Sequence, residues 1–139
     1  MCANISHSYE YGYTAGKLAA DWLNTNCSAS QTVACALLTK PQSPAVIDRA
    51  NGIIEGLREN CTFAQIAATK PYSDQASARK MTEQMMREHP EIRCIVCVSD
   101  MSILGAYDAL EAMNLLNEEM CLVGIDASAP VLKKIRRGP

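Results

Sequence analysis

The stretch HPEIRCIVCVSDMSILGAYDAL (residues 89–110) decides the fold. His89-Pro90 closes a helix, because a residue before proline avoids the helical region. RCIVCV (93–98) is a continuous apolar run of strand length, as expected of a strand buried on both faces. Ser99 and Asp100 then turn the chain, with Asp100 expected as N-cap of a helix that begins at Met101. That helix, MSILGAYDALEAM, is read as burying Leu104, Tyr107 and Leu110.

The same unit recurs along the chain. Upstream, Ala15, Leu18, Ala19, Trp22 and Leu23 share one helical face, TVACALL (32–38) reads as a strand, and PAVIDRANGIIEGL carries Val46, Ile47, Ala50, Ile53, Ile54 and Leu57 at helical spacing. Ser43 fits as its N-cap, with Pro44 in the first turn. FAQIAAT (63–69) is a weaker strand, and Asp74 opens a helix that turns Ala78, Met81 and Met85 inward. Downstream, MCLVGI (120–125) is the fourth strand, and a basic helix is expected to start near Pro130. The first twelve residues look irregular. Strands alternating with amphipathic helices predict an α/β fold: three α-β-α layers around a four-stranded parallel sheet. Right-handed crossovers bring the C-terminal end of every strand to one edge.

Composition bounds the function. The 139 residues suit one domain, with 48% apolar and 20% charged residues and a net charge of −2. This balance gives no electrostatic reason to expect nucleic acid. The one basic cluster, Lys133, Lys134, Arg136 and Arg137, suits a helix C-terminus. No apolar run is long enough to span a bilayer, and MCANISHSYEYGY has no signal-peptide pattern. Seven cysteines at irregular spacing do not form a disulfide framework; Cys35, Cys94, Cys97 and Cys121 fall in strands and are expected as core residues. That usage fits a reducing, cytoplasmic compartment better than an oxidising one.

Ligands of open parallel sheets bind beyond the strand carboxyl ends. Those tips hold Thr39, Lys40, Pro41 and Gln42, then Lys70, Pro71, Tyr72 and Ser73, then Ser99 and Asp100, and last Asp126, with Arg49 behind the first. There is no Gly-rich phosphate loop. Neither His7 nor His89 has a nucleophile to activate, and Cys94-x-x-Cys97 lies inside a strand rather than at a helix start. No catalytic residue, metal or cofactor is therefore expected. The tips suit a neutral polyol: carboxylate and guanidinium pair with neighbouring hydroxyls, and an aromatic face covers C–H groups. Arg49, Ser99, Asp126 and Tyr72 offer these parts. Each also has a plainer use: Asp126 as a cap, Arg49 paired with Glu55 or Asp48, Tyr72 in loop packing, Ser99 in a turn.

Four motifs carry a family resemblance. YGYTAGKLAADWL, SPAVIDRANGIIEGL, HPEIRCIVCVSDMSILGAYDAL and LVGIDASAPVLKKIRRG match, in order and spacing, motifs of the second lobe of type I periplasmic binding proteins. These are the ribose-binding-like group, whose fold lac-repressor-type regulators share. The chain departs from the pattern at Tyr11, Ser73 and Ser99. The resemblance implies residues 1–12 as a lead-in segment on the hinge side, and 13–139 as a second lobe that ends short of the lobe's C-terminal crossover. It implies Arg49, Ser99 and Asp126 as ligand contacts, with the aromatic contact falling at Ser73 beside Tyr72. It implies a small-molecule sugar as ligand, a missing N-terminal lobe as partner, an ABC permease in the full-length protein, and an extracytoplasmic parent anchored to or held outside the membrane. The face turned toward the absent lobe is expected to be exposed and to allow a homodimer. An effector-binding lobe of a transcriptional regulator is the alternative. A flavodoxin-like signalling domain would need acids at the early tips, where the sequence has Thr39-Lys40 and Lys70.

Overall fold

The computed structural model describes residues 7–125 and, as backbone, 132–135. Helices α1 (His7–Asn26), α2 (Pro44–Asn60), α3 (Gln75–Glu88) and α4 (Asp100–Ala112) alternate with strands β1 (Val33–Thr39), β2 (Ala64–Pro71), β3 (Ile92–Cys97) and β4 (Cys121–Ile125). The four strands are parallel throughout, as the sequence predicts, in the order β2-β1-β3-β4. Helices α1 and α2 pack on each other over one face of the sheet, and α3 and α4 over the other. The alternation follows from right-handed crossovers that reverse direction after β2.

Three expectations need correction. A fifth strand, β5 (Leu132–Ile135), pairs antiparallel with β4 where a basic helix was expected. The outer edge of β4 offers a row of unpaired peptide groups that a neighbouring strand can satisfy. Lys133 and Lys134 thus lie in a strand. Second, α1 begins at His7, so residues 7–12 are helical rather than irregular. Tyr9 donates to Glu55, and the Tyr13 hydroxyl donates to Glu59 Oε1 at 2.7 Å, which ties this early segment to α2. Third, Ile47 and Leu104 were read as core residues but are 42% and 49% exposed. The buried stripe of α4 includes Leu110 as read, but runs through Ile103 and Ala106 where the reading had Leu104 and Tyr107.

The core is built from the strand interiors. Leu37, Leu38, Ile95, Val96, Leu122 and Val123 are almost wholly excluded from water. Cys35, Cys94, Cys97 and Cys121 join them as expected, all as free thiols. Register aligns Cys35 with Cys94 and Cys94 with Cys121, so three thiols lie side by side across β1, β3 and β4. Mutual hydrogen bonding and burial push the Cys94 thiol well above its ordinary value; burial alone dominates for Cys97, which is also raised. Cys94 and Cys97, three apart on a strand, point to opposite faces, so they do not form a redox pair.

The outer helices approach closely through glycine. A Cβ on Gly16 of α1 would lie 2.3 Å from the Ile53 carbonyl oxygen of α2. Gly56 of α2 packs in the same way against the Tyr13 carbonyl of α1.

Candidate functional site

Each of three helices starts at the carboxyl edge of the sheet with its own cap. Ser43 Oγ accepts from the Val46 N–H ahead of Pro44, the cap expected from the sequence. Asp74 caps α3 in a reciprocal box with Ser77. At α4 the cap is Ser99, not Asp100: Ser99 Oγ accepts the Ser102 N–H, and Ser102 Oγ accepts the Ser99 N–H. Ser99 is extended and sits where its side chain can fold back on the first turn, while Asp100 is already the first helical residue.

These starts surround a cleft of about 300 Å³ lined by Lys40, Ser43, Val46, Tyr72, Ser99, Asp100 and Met101. Tyr72 continues the ladder beyond β2 by donating its N–H to the Thr39 carbonyl at 3.0 Å. Its side chain is only 5% exposed and its hydroxyl meets Ser99 Oγ at 2.5 Å, so the tips of β2 and β3 are joined by two side chains. The Lys40 ammonium stands 6.0 Å from the centre of the Tyr72 ring.

Arg49 lies behind this wall. Its Nη1 donates to the Val98 carbonyl at 2.8 Å, one residue before Ser99, and pairs with neither Glu55 nor Asp48. Its Nε is shielded from water and has no hydrogen-bond partner among the described residues. Ser73 is exposed and turns away from the cleft: its N–H and hydroxyl both meet Ser77 Oγ. Asp126 lies outside the described residues. The structure thus brings Tyr72 and Ser99 into direct contact, sets Arg49 one peptide away, and assigns Ser73 to the start of α3.

Lys40, Ser43, Val46, Asp100 and Met101 complete the lining. Lys40 is legible as a tip residue, and Ser43 only as a cap. Met101, 44% exposed, carries no polar group that would mark it as a ligand contact in the sequence. Electrostatics at the rim are mild. The Ser77 N–H, then the Ser77 hydroxyl, hold the Asp74 carboxyl below its ordinary value, with a further contribution from Lys40. Among the described residues no group of three His, Cys, Asp or Glu side chains can hold a metal.

Two other hollows lie elsewhere. One of about 320 Å³ joins Gln31, Thr32, Gln65, Glu91 and Arg93 near the amino ends of the strands. Another of about 230 Å³ runs between α2 and β2. The first is slightly the larger, but size does not decide. Among the described residues, helix starts and strand carboxyl ends converge at the Tyr72–Ser99 cleft, which is where open parallel sheets hold ligands.

Comparison with known proteins agrees with this geometry. The family described as "Periplasmic binding protein domain" matches residues 3–139. The chain belongs to the periplasmic binding protein family. Among solved structures, this periplasmic binding protein domain is similar to a protein from Mycobacterium smegmatis, at 26% identity and a TM-score of 0.77, with 87% of this chain and 40% of that one covered. A Mycobacterium smegmatis structure in complex with β-D-fucofuranose matches at 25% identity and a TM-score of 0.78, covering 88% of this chain and 40% of that one. An arabinose binding protein from Geobacillus stearothermophilus shares the fold at 18% identity and a TM-score of 0.75, covering 86% and 39%. The chain spans about 40% of the length of these proteins. No match to it is found among curated proteins. The fold is therefore one lobe of the type I periplasmic binding protein architecture.

Proposed function

We propose that this chain is the sugar-binding lobe of a solute-binding protein that serves a carbohydrate ABC transporter, with no catalytic role. The observation that carries the reading is the cleft at the sheet's carboxyl edge, where Tyr72, Ser99, Lys40 and Asp100 converge on a space of about 300 Å³. That volume sits at the lower end of small-molecule sites. Support comes from the relative bound to β-D-fucofuranose and from one of similar fold bound to D-allose. In this reading Arg49 and Asp126 complete the contacts, and a second lobe covers the cleft, with Met101 and Ile47 beneath it. The parent works outside the cytoplasm and delivers its sugar to a permease.

One lobe alone contributes only its own hydrogen bonds, so its dissociation constants for aldoses are expected at about 1 mM or weaker, near −4 kcal/mol. Amide chemical-shift titration with a panel of pentoses and hexoses tests this. Shifts clustered at the carboxyl edge of the sheet, at Lys40, Tyr72, Ser99, Asp100 and Asp126, support the reading. Shifts spread over the amino-end hollow, or no response to any aldose, refute it.

A further inference from the structure

We infer that the sugar held in this cleft carries an acidic group, a carboxylate or a phosphate, that pairs with Lys40. The inference rests on the sugar-binding reading and adds the charge of the ligand to it. Most neutral polar groups of the cleft are already engaged. Tyr72 and Ser99 meet hydroxyl to hydroxyl, Ser99 Oγ also accepts from Ser102, and Ser43 Oγ accepts from Val46.

The Lys40 ammonium differs from these groups. It brings three donors, and the Tyr72 ring 6.0 Å away offers it a cation–π contact but no hydrogen-bond acceptor. No carboxylate among the described residues forms an ion pair with it. Asp74 feels it only at long range and gives an oxygen to the Ser77 N–H at 2.8 Å. Among the described residues, the other charged groups facing the region are Asp100 on the cleft wall and the Arg49 guanidinium, already turned to Val98. Lys40 is partly exposed at the cleft rim with no anion paired to it among the described residues, so a ligand anion in the cleft gains a charge-assisted partner there.

The test uses the 139-residue chain labelled with ¹⁵N. It compares galactose with galacturonate and glucose with glucose 6-phosphate, with acetate and inorganic phosphate alone as controls. The acidic member of a pair is expected to bind about fivefold tighter than its neutral parent, the upper range for a partly exposed ion pair. Which pair shows the gain distinguishes carboxylate from phosphate. The ratio is expected to fall to about one in Lys40→Met and to persist in Lys40→Arg. Neutral sugars binding as well as the acids, or Lys40→Met keeping the ratio, overturns the acidic ligand and leaves the sugar-binding reading standing. Acetate or phosphate alone matching the sugar acids overturns it as an ion site only. If neither sugars nor sugar acids move the cleft amides, both readings fall together.

Discussion

Replacing Gly16 by alanine sets two effects against each other, and the structure says which wins. Alanine is the better helix former by about 1 kcal/mol. Gly16, however, faces the backbone of α2, where the new Cβ would meet the Ile53 carbonyl oxygen at 2.3 Å and the Leu57 nitrogen at 2.8 Å. Ordinary carbon contacts are near 3.5 Å, so the helices must separate locally by about 1 Å. Neither obstructing atom is the end of a flexible side chain. Relief therefore moves a whole turn and loosens Ala15, Ala19 and Leu23 in the core beneath. Overpacking of this kind costs about 1–3 kcal/mol, and a backbone obstacle puts it at the upper end. The expected net loss is about 1–2 kcal/mol, or roughly 3–8 °C in Tm for a chain of this size. Circular dichroism at 222 nm against urea and temperature measures it. The control is Asn51→Ala, an exposed position on α2, where propensity acts alone and stability should rise slightly. A Gly16→Ala variant as stable as the parent or more so would show that glycine does not set the spacing of α1 and α2.

Further outcomes follow from the cleft and the core. Ser99→Ala removes a helix cap and the partner of Tyr72, so a loss of about 1–2 kcal/mol in urea denaturation is expected. Tyr72→Phe, which removes only the hydroxyl, should cost less than Ser99→Ala. Arg49→Met strips the donor from the Val98 carbonyl and should weaken aldose binding together with stability, read by titration and melting in parallel. The Cys94 and Cys97 thiols are held above their ordinary value of 9.0 in the fold. Above about pH 9 the unfolded chain releases these protons while the folded chain keeps them. Stability is then full below pH 9 and falls as pH rises beyond it. A urea midpoint that is flat between pH 8 and pH 10, or a decline unchanged in Cys97→Ala, would contradict this.

Much of the fold was legible because several signals agreed. The continuous apolar runs at β1, β3 and β4 have the length of strands buried on both faces, and Ser43, Asp74 and His89 marked helix ends where the structure has them. What failed was phase and competition. Leu104 looks like core because it is the larger side chain, yet the smaller Ala106 and Gly105 face inward where α4 meets its neighbours closely. Asp100 and Ser99 are both good caps, and only the backbone conformation of Ser99 chooses between them. Tyr72 and Ser99 were read as separate ligand groups, since nothing in one dimension reveals that their hydroxyls meet. Lys40 stood in plain view among the tip residues but belongs to the cleft only because Tyr72 folds beneath it. Ser73, one position along, is claimed by α3.

The bond between Tyr72 and Ser99 also bears on how a ligand is received. It bridges two successive strand tips, and one of its members is at the same time the cap of α4. These two side chains are thus already held in place by other groups of the fold, so less of their freedom is lost when a solute binds against them. Selectivity that comes from a preformed wall should depend weakly on temperature and strongly on the shape of the solute. Such a surface behaves as a die, leaving any closing motion to the parts of the protein that move against it.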